Sequence, residues 1–356
     1  MSTRLAAARG VLEHLGLDGI LVSDAYDVRY LCGFRGEDAM LVVGRTTALI
    51  CTDSRYWAQV AEEVEGFALE RTEALVRDST AAAARELGER AALGFQGGTL
   101  THADYRLLRR RHRGRLRDVG DKLSRLRGLK EPAEIEAVRR AAAMTDAALE
   151  AVVAGGLVGR TEAEIAWQIR EELHRRGAEG PSFDTVVAAG PRGALAHAIP
   201  GQRRIVAGDL VVVDSGARVD GYCSDITRTF AAGELSDELR RVYAIVLAAQ
   251  LVAVEALRPG VTGHAADKVA RDVIEAAGYG DAFGHGTGHG VGLEIHEYPR
   301  LGRRSRDVLA PGMLFTVEPG IYLQDVGGVR IEDTVVLGED GCRLLTLFPK
   351  ELVTVG

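Results

Sequence analysis

Two segments set acidic residues among strand-forming neighbours. LVVVDSGARVDGYCSDITRTF (210–230) holds Asp214 and Asp225, and TVEPGIYLQDVGGVRIEDT (316–334) holds Glu318 and Glu332. Between them FGHGTGHGVGLEIHEYP (283–299) carries His285, His289 and His296 in a run of alternating glycines. Like charges on neighbouring strand positions repel, and apolar surroundings push carboxyl pKa values upward, so four such acids brought together need a counter-charge. Neither hairpin contains a lysine, and although Arg228 and Arg330 are near in sequence, strand alternation does not set them uniformly beside the acids. Two divalent cations would balance four carboxylates. Oxygen ligands alone suit Mg2+ or Ca2+; a histidine in the set moves the preference toward Mn2+, Co2+, Fe2+ or Zn2+. The glycines of 284–292 let backbone and substrate approach closely, which makes this segment a candidate site wall. It is not a phosphate loop, having no GK[ST] and no following helix, and His296-Glu297 lacks the second histidine that a zincin needs.

The acids must be positioned by hairpins. Asp220-Gly221 is a type I′ turn signal, and a turn there pairs residues whose numbers sum to 441, so Asp214 faces Thr227 and lies diagonal to Asp225 on one sheet face. A turn centred on Asp325 pairs residues summing to 650 and sets Glu318 opposite Glu332. The two hairpins belong to an internal repeat. TEAEIAWQIREELHRRG (161–177) aligns with TGHAADKVARDVIEAAG (262–278) at an offset of 101, GDLVVVDSG (208–216) with GMLFTVEPG (312–320) at 104, and GYCSDITRTF (221–230) with GVRIEDTVVL (328–337) at 107. HAIP (197–200) aligns with HEYP (296–299), which pairs His197 with His296. Two similar halves about an approximate two-fold axis would bring all four acids to a site on that axis.

The remaining chain bounds the class. With 44 Lys+Arg against 51 Asp+Glu the formal charge is −7, which disfavours a nucleic-acid partner held by phosphate neutralisation. No apolar run approaches the ~18 residues of a membrane helix, and the N-terminus lacks a signal-peptide core, so a cytoplasmic protein with no membrane partner is expected. The cysteines Cys32, Cys51, Cys223 and Cys342 form no CxxC pair and are expected to be plain buried thiols. The first third alternates helical and strand patterns, including a hairpin over 40–51, and the pattern changes near 128 ahead of Pro132 and a long amphipathic helix. The expected organisation is a smaller α/β domain over 1–128 and an α+β catalytic domain over 129–356. Trp57 and Trp167 are expected in helical cores. His14, His102, His112, His174 and His264, with the basic run LLRRRHRGRLR (107–117), are expected at the surface.

The residues DSG…SDITRTF, GHGTGHGVGLEIHE, TVEPGIY and GVRIEDT resemble the metal-binding signatures of the pita-bread metallopeptidases, in the branch of Xaa-Pro aminopeptidases, prolidases and creatinase. DVRYLCGF (27–34) and TDSRYW (52–57) resemble that branch's N-terminal domain, so the resemblance covers nearly the whole chain. It implies an α+β, pita-bread catalytic domain built from a duplicated helix plus β-hairpin, binding two divalent ions, Mn2+ or Co2+ first. The ligands would be Asp214, Asp225, His289, Glu318 and Glu332, with Asp225 and Glu332 bridging, Asp214 completing one ion, and His289 with Glu318 the other. The implied reaction is hydrolysis of the Xaa-Pro bond at the N-terminus of dipeptides or short peptides by a hydroxide held between the ions, with Glu318 accepting its proton. His296 and His197 would contact the scissile peptide, and the family implies a homodimer. Three further residues are substrate-binding candidates. His285 would wall the pocket or orient a ligand. Arg330 would back Glu332 or lie on a strand surface, and Arg300 would take a substrate carboxylate or stand solvated in a loop.

Three other functions share parts of this pattern. The N-terminal domain argues against a methionine-type aminopeptidase. A metal-free creatinase-like C–N hydrolase would lack the ligand set, and a non-catalytic binding protein on the same fold would have lost ligands. None of the five is lost.

Overall fold

The computed structural model describes residues 3–356, in two compact units that divide between Arg127 and Gly128. In the first, six strands form one sheet in the order Ala68–Arg71, Ala48–Thr52, Ala39–Gly44, Gly19–Val22, Leu93–Phe95, Leu116–Asp118. The expected hairpin is present, with Met40 opposite Cys51. Helices such as Leu75–Leu87 and His102–Arg111 supply Ala82, Ala83 and Leu108 to its core. His112 corrects the surface expectation. It is buried, its Nε2 2.8 Å from the Ala91 carbonyl, because the chain turns inward at the end of its arginine-rich helix. Trp57 is half-buried rather than core; its indole N–H donates to Thr52 O at 3.1 Å and Arg71 lies over its ring.

The second unit is two copies of one plan. Each opens with a long helix and a short one, Pro132–Ala154 and Glu162–Arg175, then Asp237–Ala256 and Gly263–Ala276. The short helices start alike. The hydroxyls of Thr161 and Thr262 each accept from the backbone N–H three residues on, satisfying one of the free donors at a helix start. Gly177 and Gly278, with φ of 89° and 88°, end them alike. Spacing by four puts Ile165, Ile169 and Leu173 on one stripe, which packs on Val211, Val213 and Phe230. In the other copy Ala266, Ala270 and Ile274 pack on Phe315, Val317 and Val335. Full burial of the valine, leucine, isoleucine and phenylalanine side chains among these stabilises the fold by ~1.5–3 kcal/mol each, and of the alanines by less.

Each copy carries its hairpin in an antiparallel sheet. Leu210–Ser215 lies between Val186–Ala189 and Ile226–Ala232, and Leu314–Val317 between Gly288–Gly290 and Asp333–Leu337. The registers are those expected: Asp214 faces Thr227, Arg218 faces Cys223, Val317 faces Asp333 and Gly320 faces Arg330. Asp220 and Gly221 both have positive φ, as a type I′ turn requires. One feature differs. The second ladder is interrupted where Glu318 and Glu332 stand, so they oppose each other in register without pairing. Glu318 N–H donates to Thr287 O at 2.7 Å, and Glu332 N–H to Thr227 O, in the other copy, at 3.1 Å.

Trp167 also departs from expectation. It is 61% exposed, because it lies off the Ile165–Ile169–Leu173 stripe. No helix among the described residues is long and apolar enough to cross a membrane.

Candidate metal centre and substrate cavity

Asp214, Asp225, His289, Glu318 and Glu332 all line one cavity of about 670 Å3, formed within the second unit. Ligand-type atoms of Asp225, His289 and Glu332 lie within 4.8 Å of one another. His289 Nε2 stands 3.4 Å from Glu318 Oε1 and 3.6 Å from Asp225 Oδ2. Its Nδ1 is 3.1 Å from the Gly290 carbonyl, which can only accept, so Nδ1 carries the proton and the Nε2 lone pair faces the carboxylates. Burial, then the neighbouring His296, lowers the His289 pKa to about 3, so the ring is neutral. The two rings meet edge to face with centroids 4.4 Å apart.

Burial pushes Asp225 and Glu332 well above the ordinary carboxylate range, and the surrounding acids push them further. Burial, opposed by Arg330 but reinforced by Asp214, raises Glu318 to about 7. Asp214 Oδ1 is buried with no hydrogen-bond partner. An orphaned carboxylate oxygen beside three carboxyls that resist ionising, with a neutral imidazole lone pair aimed among them, is a donor set that fits divalent cations.

Arg330 is not the surface residue that its strand position allowed. It is 3% exposed, and its Nη2 donates to Asp214 Oδ2 at 2.7 Å. Its Nε donates to Thr227 Oγ1 at 3.0 Å, and Thr227 in turn donates to Glu332 Oε2 at 2.7 Å. The guanidinium therefore reaches Glu332 through Thr227 and Asp214 directly. Burial works against its charge, but Tyr322, Asp214 and Glu318 outweigh burial and hold it protonated. Arg228 is also buried, but pairs with Asp333 at 2.8 Å and donates to the backbone carbonyls of Thr227 and Glu332 rather than to the acids of the cavity.

Tyr322 was not singled out by sequence. Its hydroxyl accepts from Arg330 Nη1 at 2.8 Å and lies 2.8 Å from His285 Nε2, while His285 Nδ1 lies 2.8 Å from Gly286 O. Because a carbonyl accepts, His285 Nδ1 donates and Nε2 takes the tyrosine proton. Burial lowers the His285 pKa to about 4 and keeps it neutral. The signal was available: Gly320 faces Arg330 and Tyr322 faces Gly328, which places Tyr322 and Arg330 diagonally on one face.

His197 and His296 line the cavity with exposed rings. Burial, then Arg300 and His197, lowers the His296 pKa. Arg300 is exposed on Glu297–Leu301, faces His289 in the ladder and donates to His296 O at 3.3 Å; it is not among the cavity-lining residues. Ala163, Ala166, Trp167 and Arg170, at helical spacing along Glu162–Arg175, form another wall.

Acids contributed in equivalent pairs by two copies of a fold, gathered with a neutral histidine at one cavity, define a metal-dependent hydrolase. The chain belongs to metallopeptidase family M24, whose model matches residues 136–339, and carries a creatinase/prolidase N-terminal domain over 4–128. The α+β pita-bread architecture expected from sequence is therefore present. The chain is 40% identical to an uncharacterized peptidase of Bacillus subtilis, over 98% of this chain and 99% of that one. Its structure is similar to a Xaa-Pro dipeptidase from Bacillus anthracis, with TM-score 0.95, 39% identity and 99% of each chain covered. It is also similar to the prolidase from Pyrococcus horikoshii, with TM-score 0.93, 32% identity and 99% and 100% covered. An X-Pro aminopeptidase from Thermotoga maritima matches with TM-score 0.86, 36% identity and 96% and 99% covered.

Proposed function

We propose that this metallopeptidase is an exopeptidase that hydrolyses the Xaa-Pro bond at the N-terminus of dipeptides or short peptides. The observation that carries the reading is the convergence of Asp214, Asp225, His289, Glu318 and Glu332 on one cavity. Those five residues would hold two divalent cations, Mn2+ or Co2+ by the mixed carboxylate and imidazole donors. The ions supply Lewis acidity and a lowered pKa for water.

The chain's own groups do the rest. The Glu318 carboxylate, at the edge of the ligand set, would accept the proton that water gives up and return it to the leaving amine. His296 faces the developing oxyanion and His197 the amide nitrogen, each from its own copy of the repeat. Arg330 fixes Asp214, and Tyr322 fixes Arg330 and His285. The carboxylates attract the free N-terminal amine of the substrate, which favours removal of a single terminal residue. The division of labour assigns the chemistry to residues 129–356 and an accessory role to 1–128. Structures named Xaa-Pro dipeptidase and X-Pro aminopeptidase are both similar to this chain, so substrate length is the variable the test must resolve. The working state we take to be a cytoplasmic homodimer, as the sequence resemblance implies; sizing by light scattering checks it.

The test compares Xaa-Pro, Xaa-Pro-Yaa and proline-free peptides with Mn2+ and with Co2+. Cleavage of the dipeptide alone makes the enzyme a prolidase; preference for the tripeptide makes it an aminopeptidase. Full activity after removal of metal overturns the reading.

A further inference from the structure

His197 sits in an exposed stretch, and nothing in its own side chain holds it. Its neighbours Leu195 and Ile199 are exposed as well, Ile199 to 82%. Such a stretch orders only if its backbone is tied down elsewhere. Its two ends are tied by one carboxylate. Glu162, the first residue of its helix, is completely buried, and its two oxygens receive bonds from both ends of the stretch. Oε1 accepts from Ala189 N–H at 3.0 Å and Oε2 from Gly201 N–H at 2.9 Å. Arg192 Nε donates to both oxygens, at 3.1 and 2.9 Å, and the same guanidinium reaches forward to the Ile199 carbonyl at 2.6 Å. The middle is held once more, where Arg330 donates to Ala196 O at 3.2 Å.

The repeat shows that this brace is a specialisation of one copy. Glu162 aligns with Gly263, and the backbones match: Glu162 N–H donates to Arg203 O, and Gly263 N–H to Asp307 O. At Gly263, however, the returning chain packs directly on the backbone, and a Cβ would stand 2.1 Å from Arg300 O. His296 is anchored differently, through the adjacent Glu297, whose buried carboxylate pairs with Lys130 Nζ at 2.6 Å. The two histidines thus have separate anchors, and Glu162 serves His197 alone.

We infer that Glu162 is a positioning residue for the peptidase reaction, which sets the place of His197 by closing the 189–201 loop on a single buried carboxylate. The inference rests on the role given to His197 above. Glu162 touches no substrate; it acts through backbone geometry, and a displacement of about 1 Å at a reacting group can cost about 100-fold in rate.

A double-mutant cycle tests it. E162A is expected to lower kcat/KM on the order of 10- to 100-fold with most of the loss in kcat. In an H197A background the same change should cost less than about twofold, because the group being positioned is gone. Bound metal per chain, measured by elemental analysis, should stay at the wild-type level throughout. E162Q keeps an acceptor for the backbone N–H groups but loses the charge facing Arg192; it should fall between wild type and E162A, and it serves the same cycle if E162A does not fold. Equal losses in both backgrounds, or no loss from Glu162 while H197A is impaired, overturns the positioning role and leaves the function standing. An H197A enzyme with full activity overturns the role of His197 itself, and the inference with it.

Discussion

The Thr227 hydroxyl donates to Glu332 Oε2 at 2.7 Å while accepting from Arg330 Nε at 3.0 Å, so one side chain of the first copy orients an acid of the second. The repeat-related Thr334 donates in return to the Asp225 carbonyl at 2.7 Å. Replacing Thr227 with Val keeps the shape and removes both bonds. Mn2+ affinity should fall about 10- to 100-fold, the usual cost of losing a residue that orients a ligand. Calorimetric titration of metal into the stripped protein measures it; unchanged affinity would show that Glu332 needs no such support.

The buried carboxyls make the metal-free protein sensitive to pH in a stated direction. Asp225, Glu332 and Glu318 have raised folded pKa values, so the native state holds protons that the unfolded state has released, and stability falls as pH rises through that window. His289 and His285, lowered to about 3 and about 4, act oppositely, but only below the ordinary histidine value of 6.5. From pH 6.5 to about 8 the opposing contribution of the histidines, His296 included, fades and the acids dominate, with Glu318 titrating near 7. The Tm of stripped protein should therefore drop across that interval, and added Mn2+ should raise Tm more at the upper end. A flat or rising Tm contradicts the coupling.

Two glycines of the histidine segment make opposite predictions. A Cβ at Gly290 would lie 2.2 Å from Tyr298 O, backbone that cannot step aside, whereas one at Gly284 meets nothing within 4 Å. Gly290→Ala should cost about 1–3 kcal/mol in denaturant unfolding and disturb the adjacent His289. Gly284→Ala should be neutral. Equal effects would mean that the segment adapts freely.

Trp167 lines the cavity yet is mostly in water. A non-hydrolysable Xaa-Pro analogue that enters the cavity should shift its emission to shorter wavelength, and Trp167→Phe should abolish the shift, since Trp57 is the other tryptophan and lies in the first unit. A shift that survives the substitution places the reporter elsewhere.

The hairpin registers were legible because turn chemistry and period-2 alternation are local: Asp220-Gly221 alone sets Asp214 against Thr227. The repeat made convergence of the acids legible too. Alternation sets Glu318 opposite Glu332, as found, but does not show where a broken ladder sends its hydrogen bonds, which here go to Thr287 and Thr227. Nor does it show long-range partners, and Arg330 found Asp214, 116 positions away, only in the folded chain. Residue type alone points Trp167 to the core, but its position does not: the stripe of Ile165, Ile169 and Leu173 leaves it on the far side of the helix.

The duplication is faithful at the acids and unfaithful around them. Asp214 answers Glu318 and Asp225 answers Glu332, but Arg330 answers Cys223, Glu162 answers Gly263, and the strand beside Asp214 offers Ala188 where the other sheet offers His289. A peptide has a head and a tail. A perfectly two-fold site would present the same groups to both. Because the copies diverge at Arg330, Glu162 and His289 while keeping their acids, the two ends of the cavity present different groups to a peptide.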